Sequence, residues 1–271
     1  MSFLQCGSAV HYYRLRAGAP GAPTLAFING LGTDQRIWDG VVAALPPALS
    51  VLVYDLRGQG LSEPETANYD LPGLARDLQQ LLEQLALLGQ IAPGPVGPVG
   101  FSLGGLIAQE FAYRYPERVR ALVLCATGGR IASPDVWQQR RAQATEGGLA
   151  AIAEGAMERW FSREFREREP HQVRGYRRLL LGSDLSCYLA AVGVLAGADL
   201  RARAAQLAMP ALLVAASADV ATPPDGMREL GAQLRGSRLE VLQGSGHLLG
   251  VEQPAALADS IVRFLKGQGL V

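Results

Sequence analysis

The sequence predicts an α/β fold in which a mostly parallel central sheet is flanked by helices on both faces. Two observations predict it: apolar runs of strand length alternate with amphipathic segments of helix length, and turn-forming residues separate them. The chain has 271 residues, of which 49% are hydrophobic and 18% are charged, so it can bury a large core. We therefore expect one large domain that carries an insertion.

Several runs have the length and composition of strands. They are residues 9–16, 24–28, 51–54, 96–101, 121–125, 211–216 and 239–242. Pro98 lies within the fourth run, where it cannot donate a ladder hydrogen bond. We expect a bulge or an irregular register at this position.

The predicted helices lie between these runs. Leucines recur on one helix face between residues 71 and 85, and Asp70 precedes them as the expected N-cap residue. A second helix begins at Leu103 and ends near Pro116, because proline cannot continue a helix. A third follows Pro254. Short links join these helices to the strands, as in repeated strand-helix units.

Residues 131–200 break the alternation. They read as several helices with no strand between them, interrupted at Gly147-Gly148, Pro170 and Gly182-Ser183. The pattern predicts a helical cap inserted between two strands. We therefore divide the chain into a core of residues 1–130 and 201–271 and a cap of residues 131–200.

Composition argues against several function classes. Lys+Arg and Asp+Glu number 25 each and form no basic stripe, which argues against nucleic acid as a partner. The first residues lack a basic stretch followed by an apolar one, and no apolar run reaches about 18 residues, so we expect neither a signal peptide nor a membrane span. Cys6, Cys125 and Cys187 lie far apart without metal-binding spacing. We predict free thiols, a cytoplasmic location, no metal and no cofactor.

Residues 100–104 read GFSLG, a G-x-S-x-G pentapeptide between a predicted strand and a predicted helix. Serine at such a turn adopts strained backbone, and glycine on both sides avoids steric collisions. Amides at the start of the following helix can hold a developing oxyanion beside the hydroxyl. Ser102 is therefore the candidate nucleophile, although the bare motif also occurs in ordinary turns.

A serine nucleophile needs a base within hydrogen-bonding reach and an acid that orients the base. His247 follows a strand on a glycine-containing loop, where an open α/β sheet places its chemistry. The other histidines, His11 and His171, lie in a strand and in the insertion. Asp219 directly follows the strand at 211–216, and we assign it as the acid. Two other aspartates are rivals for this role: Asp225, in the first turn of a helix, and Asp199, at the end of the insertion.

An oxyanion hole needs two donors. We expect the backbone N–H groups of Leu103, which follows the nucleophile, and of Leu31, in the loop after the strand at 24–28. Gly30 and Gly32 could also belong to a dinucleotide-binding loop, but the third glycine of that fingerprint is missing.

These motifs together resemble the α/β-hydrolase superfamily along the whole chain. The segments that carry the resemblance are residues 29–32 (NGLG), 55–62 (DLRGQGLS), the serine pentapeptide, Asp219 and 246–247 (GH). Residues 30–38, 122–127, 158–161 and 221–224 further resemble 3-oxoadipate enol-lactonases. Asn29-Gly30 departs from the His-Gly or Asn-Ser of many such proteins.

The resemblance implies a serine hydrolase that opens an enol-lactone through Ser102, His247 and Asp219, with no cofactor. The substrate would be a small anionic lactone or ester, and the protein could form a homo-oligomer. We expect Arg130 to bind the carboxylate of the substrate, with Trp137 and Trp160 as apolar walls of the pocket. Each of these side chains has an alternative role, as solvated surface for the arginine and as packing between cap and core for the tryptophans.

Other functions remain compatible with the sequence. The same triad serves carboxylesterases, carbon–carbon bond hydrolases and cofactor-free haloperoxidase-like enzymes. A ligand-binding protein that keeps the fold without turnover is a third class, which a complete triad disfavours. Serine at residue 102 also disfavours a haloalkane dehalogenase, whose first step needs a carboxylate nucleophile.

Overall fold

The computed structural model describes residues 2–271; Met1, the first residue of the predicted core, lies outside the described residues. Within this range one eight-stranded sheet forms the centre of the molecule. Its strands are β1 (Ser2–Cys6), β2 (Ala9–Arg16), β3 (Thr24–Ile28), β4 (Ser50–Tyr54), β5 (Gly97–Phe101), β6 (Leu122–Cys125), β7 (Ala211–Ala216) and β8 (Arg238–Leu242). The spatial order is β1-β2-β4-β3-β5-β6-β7-β8. Strands β3 to β8 run parallel to one another, and β2 runs antiparallel to both of its neighbours, β1 and β4. The predicted fold class is confirmed.

The helices connect these strands and cover both faces of the sheet. They are α1 (Asp39–Ala44), α2 (Leu71–Leu87), α3 (Leu103–Arg114), α4 (Pro134–Trp160), α5 (Arg163–Arg168), α6 (Pro170–Leu181), α7 (Leu185–Gly197), α8 (Arg201–Ala204), α9 (Pro224–Gln233), α10 (Leu249–Glu252) and α11 (Pro254–Gly267). Short 3₁₀ turns occupy Gln35–Trp38 and Pro116–Arg118. As predicted, Asp70 caps α2, accepting a hydrogen bond of 2.6 Å from the Gly73 N–H.

The sheet separates two apolar clusters. One packs α2 and α3 against one face and includes Leu74, Leu78 and Ile107, all fully buried. The other packs α1 and α11 against the opposite face and includes Val41 and Ile261. Because both faces are covered, the central strands are buried along their whole length, which is typical of a parallel sheet.

Strand β1 was not predicted from the sequence. It pairs with β2 through a two-residue turn, with Cys6 opposite Ala9 and Gly7 at φ +62°. A Gly-Ser pair between two alternating segments is a hairpin signal, so the strand was detectable from the turn. Its alternation of half-buried and exposed positions explains why its apolar content alone did not indicate a strand.

Pro98 lies inside β5, and the ladder to β6 is irregular there. Val96 bridges Val119 and Val99 pairs with Val123, so three steps along β5 correspond to four along β6. The ladder to β3 runs through Pro98 without interruption. The extra residue lies among residues 120–122, where the chain enters β6, opposite the proline that has no N–H to donate.

Residues 126–210 separate β6 from β7 and, in the described chain, contribute helices α4 to α8 and no strand to the sheet. Helix α4 is kinked at Gly148, whose φ is +65°. Helix α7 packs against α4, and α6 packs against α4 as well. The division into core and cap remains a prediction, but these helices lie where it expected them in the chain. Of the helices described, none is by itself long and apolar enough to cross a membrane; only α6 and α7, bent by 95°, pass that test as a pair.

Candidate active site

Ser102 lies at the sharp turn between β5 and α3. Its φ of +53° and ψ of −117° fall outside the regions that side-chain-bearing residues ordinarily occupy. Two hydrogen bonds hold the turn in this conformation: the Ser102 N–H donates to Cys125 O at 3.0 Å, and Thr127 Oγ1 donates to Ser102 O at 2.8 Å. The side chain of Ser102 is therefore presented at the carboxyl end of the sheet.

The glycines of the pentapeptide are required by close backbone contacts. A Cβ at Gly100 would lie 2.3 Å from Gly104 O, and a Cβ at Gly104 would lie 2.2 Å from Ile28 O. Both distances are shorter than any real Cβ contact with backbone. The glycines thus let α3 begin directly against the end of β3.

Replacement of Gly104 by alanine tests this packing. Because the new methyl group would meet backbone rather than a flexible side chain, we expect Gly104→Ala to lower the free energy of unfolding by about 1–3 kcal/mol. Gly175→Ala is the matched control, since this glycine lies exposed in α6 with nothing near its Cβ; it should raise stability by about 0.5–1 kcal/mol. Urea unfolding of both variants measures the difference, and equal effects would contradict the packing argument.

The structure brings Ser102, His247 and Asp219 into one hydrogen-bonded chain. His247 Nε2 lies 3.1 Å from Ser102 Oγ, and His247 Nδ1 lies 2.7 Å from Asp219 Oδ2. The three residues follow β5, β8 and β7, so they meet at the carboxyl edge of the sheet although they are far apart in sequence. All three are at most 8% exposed. The ring of Phe101 packs on the imidazole, with the two ring centroids 4.7 Å apart.

Asp219 is held as a carboxylate. Burial by itself raises its pKa, but the adjacent imidazole of His247 and the hydrogen bonds from His247 and Thr222 outweigh burial, so its pKa lies below the usual value. Oδ1 accepts the N–H groups of Ala221 and Thr222, both at 2.8 Å, and Oδ2 accepts the Thr222 hydroxyl at 2.7 Å. An ionised carboxylate here orients the imidazole with Nε2 toward the serine.

The rival residues lie elsewhere. Asp225 is exposed and pairs with Arg228, and Asp199 pairs with Arg201 at 2.6 Å.

The other two histidines also lie away from Ser102. His11 is buried in β2, with its Nδ1 atom 3.1 Å from a backbone carbonyl oxygen. His171 is exposed near the start of α6. The geometry thus favours Asp219 and His247 as the partners of Ser102.

Leu31 and Leu103 lie beside the nucleophile. Leu103 is the first residue of α3, so its N–H has no acceptor within the helix. In residues 2–271 neither N–H donates to another backbone oxygen. The loop that carries Leu31 passes very close to Ser102, since a Cβ at Gly30 would lie 3.2 Å from Ser102 Cβ. Both N–H groups are therefore available to a ligand oxygen near the hydroxyl.

A cavity of about 250 Å³ opens on Ser102 and His247. It is smaller than the ~300–1,000 Å³ typical of sites for drug-sized ligands, so it suits a small molecule. Trp137 and Trp160 both line it, and the Trp137 indole N–H donates to Ile131 O at 2.6 Å, which orients the ring. A larger cavity of about 620 Å³ lies between α6 and residues 36–40 and 250–254, and none of the predicted site residues lines it.

Arg130 does not line this cavity. Its guanidinium lies 3.8 Å from the carboxylate of Asp199, which also binds Arg201. The expectation for Arg130 does not fit this placement, because proximity in sequence to the end of β6 does not direct the side chain inward. Arg140 and Arg159 line the cavity instead.

Neither of these two arginines was predicted from the sequence as part of the site. Arg140 lies three residues after Trp137 on α4, hence on the same helix face, so its spacing from a predicted wall residue was a signal. Arg159 is adjacent to Trp160, and adjacent helix residues point in different directions, so no spacing indicated it. Among ion pairs between described residues, neither guanidinium takes part. Burial, followed by the positive charge of Arg140, lowers the pKa of Arg159 to about 10.

Glu252 was also missed, and it joins the histidine loop to the end of α4. Its Oε1 accepts the N–H groups of Ser162 at 2.8 Å and Gly246 at 3.2 Å, and its Oε2 accepts the Ser162 hydroxyl at 2.7 Å. The Leu248 N–H donates to Trp160 O at 2.8 Å. The cavity wall and the histidine loop are therefore fastened to each other, which no local sequence pattern indicates.

Comparison with known proteins agrees with the observed fold. The sequence of residues 25–260 matches a protein-family model described as "Alpha/beta hydrolase family". The chain is 33% identical over 250 residues to 3-oxoadipate enol-lactonase 2 of Acinetobacter baylyi, covering 92% of this chain and 91% of that protein.

Solved structures give the same result. The enol-lactonase from Burkholderia xenovorans LB400 superposes with a TM-score of 0.91 at 32% identity, covering 98% of this chain and 100% of that one. A thermophilic esterase from Thermogutta terrifontis, solved with malate bound, has a TM-score of 0.87 at 26% identity and covers 96% and 94%. The chain therefore belongs to the α/β-hydrolase family.

Proposed function

We propose that this hydrolase opens the ring of an anionic enol-lactone, 3-oxoadipate enol-lactone, to give 3-oxoadipate. The observation that carries the proposal is the hydrogen-bonded chain from Ser102 to Asp219, facing a small cavity that holds two arginines without carboxylate partners. The likeness to enol-lactonases of Acinetobacter and Burkholderia supports the choice of substrate.

The first half of the reaction forms an acyl-enzyme. Ser102 Oγ attacks the lactone carbonyl carbon while His247 Nε2 takes the hydroxyl proton, and Asp219 stabilises the resulting imidazolium. The carbonyl oxygen becomes an oxyanion that accepts hydrogen bonds from the Leu31 and Leu103 N–H groups. The ring C–O bond then breaks and releases an enolate, which is a better leaving group than an alkoxide. The enolate oxygen takes the proton from the His247 imidazolium, so His247 is again a neutral base.

The second half releases the acid. His247 takes a proton from water, the hydroxide attacks the acyl carbon, and the bond to Ser102 Oγ breaks as the serine regains its proton. The enol, protonated in the first half of the reaction, converts to the ketone. One water is consumed for each lactone, and no redox partner is needed.

The two arginines account for recognition of the substrate's free carboxylate. Charge-assisted hydrogen bonds from guanidinium to carboxylate are shorter and stronger than neutral ones. Because burial and the other guanidinium already lower the pKa of Arg159, an incoming anion relieves the repulsion between like charges. Trp137 and Trp160 supply the apolar walls along the substrate's carbon skeleton.

Substitution of the arginines tests this recognition. We expect Arg140→Met and Arg159→Met each to raise KM for the enol-lactone about 10- to 100-fold, corresponding to loss of a charged hydrogen bond worth ~1.5–3 kcal/mol. KM for the neutral ester p-nitrophenyl acetate should change little. Arg130→Met is the matched control, because its guanidinium lies outside the cavity. A rise in KM for Arg130→Met, or equal rises for both substrates, would contradict the assignment.

The function itself is tested by comparing kcat/KM for the enol-lactone, for simple aryl esters and for an N-acyl homoserine lactone. We expect the enol-lactone to be preferred by at least about 100-fold, the ratio that one charged contact can supply. A preference for the neutral aryl esters would contradict the proposal.

That outcome would favour a second candidate, a carboxylesterase that uses the same triad. The likeness to the Thermogutta esterase supports it. The apolar side chain of Val220, 67% exposed at the rim of the cavity, would then contact the alkyl part of a larger ester.

A further inference from the structure

The loop that carries Leu31 is closed by a pair of hydrogen bonds from one side chain. Thr33 Oγ1 accepts the Gly30 N–H at 3.0 Å and donates to Gly30 O at 3.0 Å. Thr33 is fully buried, and its own carbonyl accepts Asn29 Nδ2 at 2.5 Å. The hydroxyl is thus fully used inside a turn of four residues, Gly30 to Thr33.

The acceptor in this turn belongs to the peptide unit that also contains the Leu31 N–H. In a trans peptide the C=O and the N–H point in opposite directions, and the described chain has no cis peptide. Fixing Gly30 O on the Thr33 hydroxyl therefore turns the Leu31 N–H away from Thr33. The Thr33 N–H, 3.4 Å from the same oxygen, adds to this restraint.

Ser102 lies close to this peptide unit. The Gly30 backbone is close enough that a Cβ there would lie 3.2 Å from Ser102 Cβ, and Leu31 and Ser102 line the same cavity. A hydrogen bond accepted by a peptide C=O also polarises the unit, which strengthens its N–H as a donor.

We propose that Thr33 is a positioning residue for the oxyanion hole: its hydroxyl sets the orientation of the Gly30–Leu31 peptide and so aims the Leu31 N–H at the reacting oxygen. The inference rests on the acyl-transfer chemistry of the proposed function but not on its substrate. A donor held in place before the reaction stabilises the transition state more than the ground state, so Thr33 acts on kcat.

The test compares Thr33→Val, which keeps the shape and loses the hydroxyl, with Thr33→Ser, which keeps the hydroxyl. On p-nitrophenyl acetate we expect Thr33→Val to lower kcat about 10- to 100-fold, less than outright removal of an oxyanion donor, with KM changed by less than about threefold. The inhibition constant of phenylboronic acid, which forms a tetrahedral adduct with serine, should rise by the same factor as kcat falls. Thr33→Ser should keep kcat within about threefold of the parent.

Thr24→Val is the matched control. Thr24 lies at the opposite end of β3, is 3% exposed, and its hydroxyl donates to Ser50 Oγ at 3.3 Å. It loses a buried hydrogen bond of the same kind, so it should lose stability without a change in kcat. If Thr33→Val does not fold, Thr33→Ala is judged by the same ratios.

Three outcomes would overturn the proposal. They are a kcat for folded Thr33→Val within about twofold of the parent, a Thr33→Ser variant that falls as far as Thr33→Val, and a loss of boronate affinity equal to that of Thr24→Val. A protein that hydrolyses p-nitrophenyl acetate but not the enol-lactone would refute the proposed substrate and leave this test intact.

Discussion

Replacement of Ser102 by alanine should lower kcat about 10⁴- to 10⁶-fold on the enol-lactone and on p-nitrophenyl acetate alike, because the variant cannot form the acyl-enzyme. Fold and substrate binding should persist. The sharp turn between β5 and α3 is held by the hydrogen bonds of Cys125 and Thr127 to the Ser102 backbone, and the Ser102 hydroxyl does not hold it. Steady-state kinetics on both substrates, with a thermal melt for each protein, measure the effect.

Ser260→Ala is the control for loss of a buried serine. Ser260 is 1% exposed on α11, and its hydroxyl donates to Glu240 at 2.7 Å, away from the cavity. This variant should keep the parent's kcat. A Ser102→Ala protein that retained more than about a tenth of the parent's kcat would contradict the assignment of the nucleophile.

The second large effect is expected from Asp219→Asn, which should lower kcat about 10⁴-fold while changing KM little. The amide can still accept the Ala221 and Thr222 N–H groups, so the loop is retained. A carboxylate, however, accepts from His247 Nδ1–H and leaves Nε2 free to take the serine proton. An amide NH₂ facing Nδ1 favours the tautomer that places the proton on Nε2, where it blocks the reaction.

Asp225→Asn provides the comparison, because Asp225 lies six residues farther along and pairs only at the surface with Arg228. It should leave kcat unchanged. The two variants are compared by kcat and by urea unfolding. Equal loss of kcat in both would show that Asp219 does not act through His247.

The architecture could be predicted where strands were fully buried. Parallel strands covered on both faces read as continuous apolar runs, and β3 and β7 were predicted with their observed bounds. Strand β1 lies at the edge of the sheet, where one face is half exposed, so hydrophobicity carried too little signal. The irregular ladder beside Pro98 was expected because proline lacks the donor, whereas the position of the extra residue depends on β6.

The candidate triad and the two loops around it could be predicted because each residue follows a strand directly, and parallel strands end at one edge. The cavity walls were predicted only in part. Trp137 and Trp160 line the cavity, but Arg130 pairs with Asp199, and the arginines that face inward come from α4, one on each side of its kink. Which side of a helix faces a site depends on how the helix packs, and the kink at Gly148 alters the helical period between Arg140 and Arg159.

The hydrogen bonds that support the site were not predictable from spacing alone. Thr222 and Thr33 lie within a few residues of the groups they bind, but Glu252 reaches Ser162 across 90 positions of the sequence. Such contacts follow from the assembled fold.

Covalent labelling tests directly whether Ser102 is an activated nucleophile. The folded protein is treated with a fluorophosphonate, digested and analysed by mass spectrometry, with Ser102→Ala treated in parallel. We expect one adduct per chain, on the peptide that contains Ser102, and none on Ser102→Ala. A folded protein that takes up no label, or an adduct on another residue that persists in Ser102→Ala, would contradict the account.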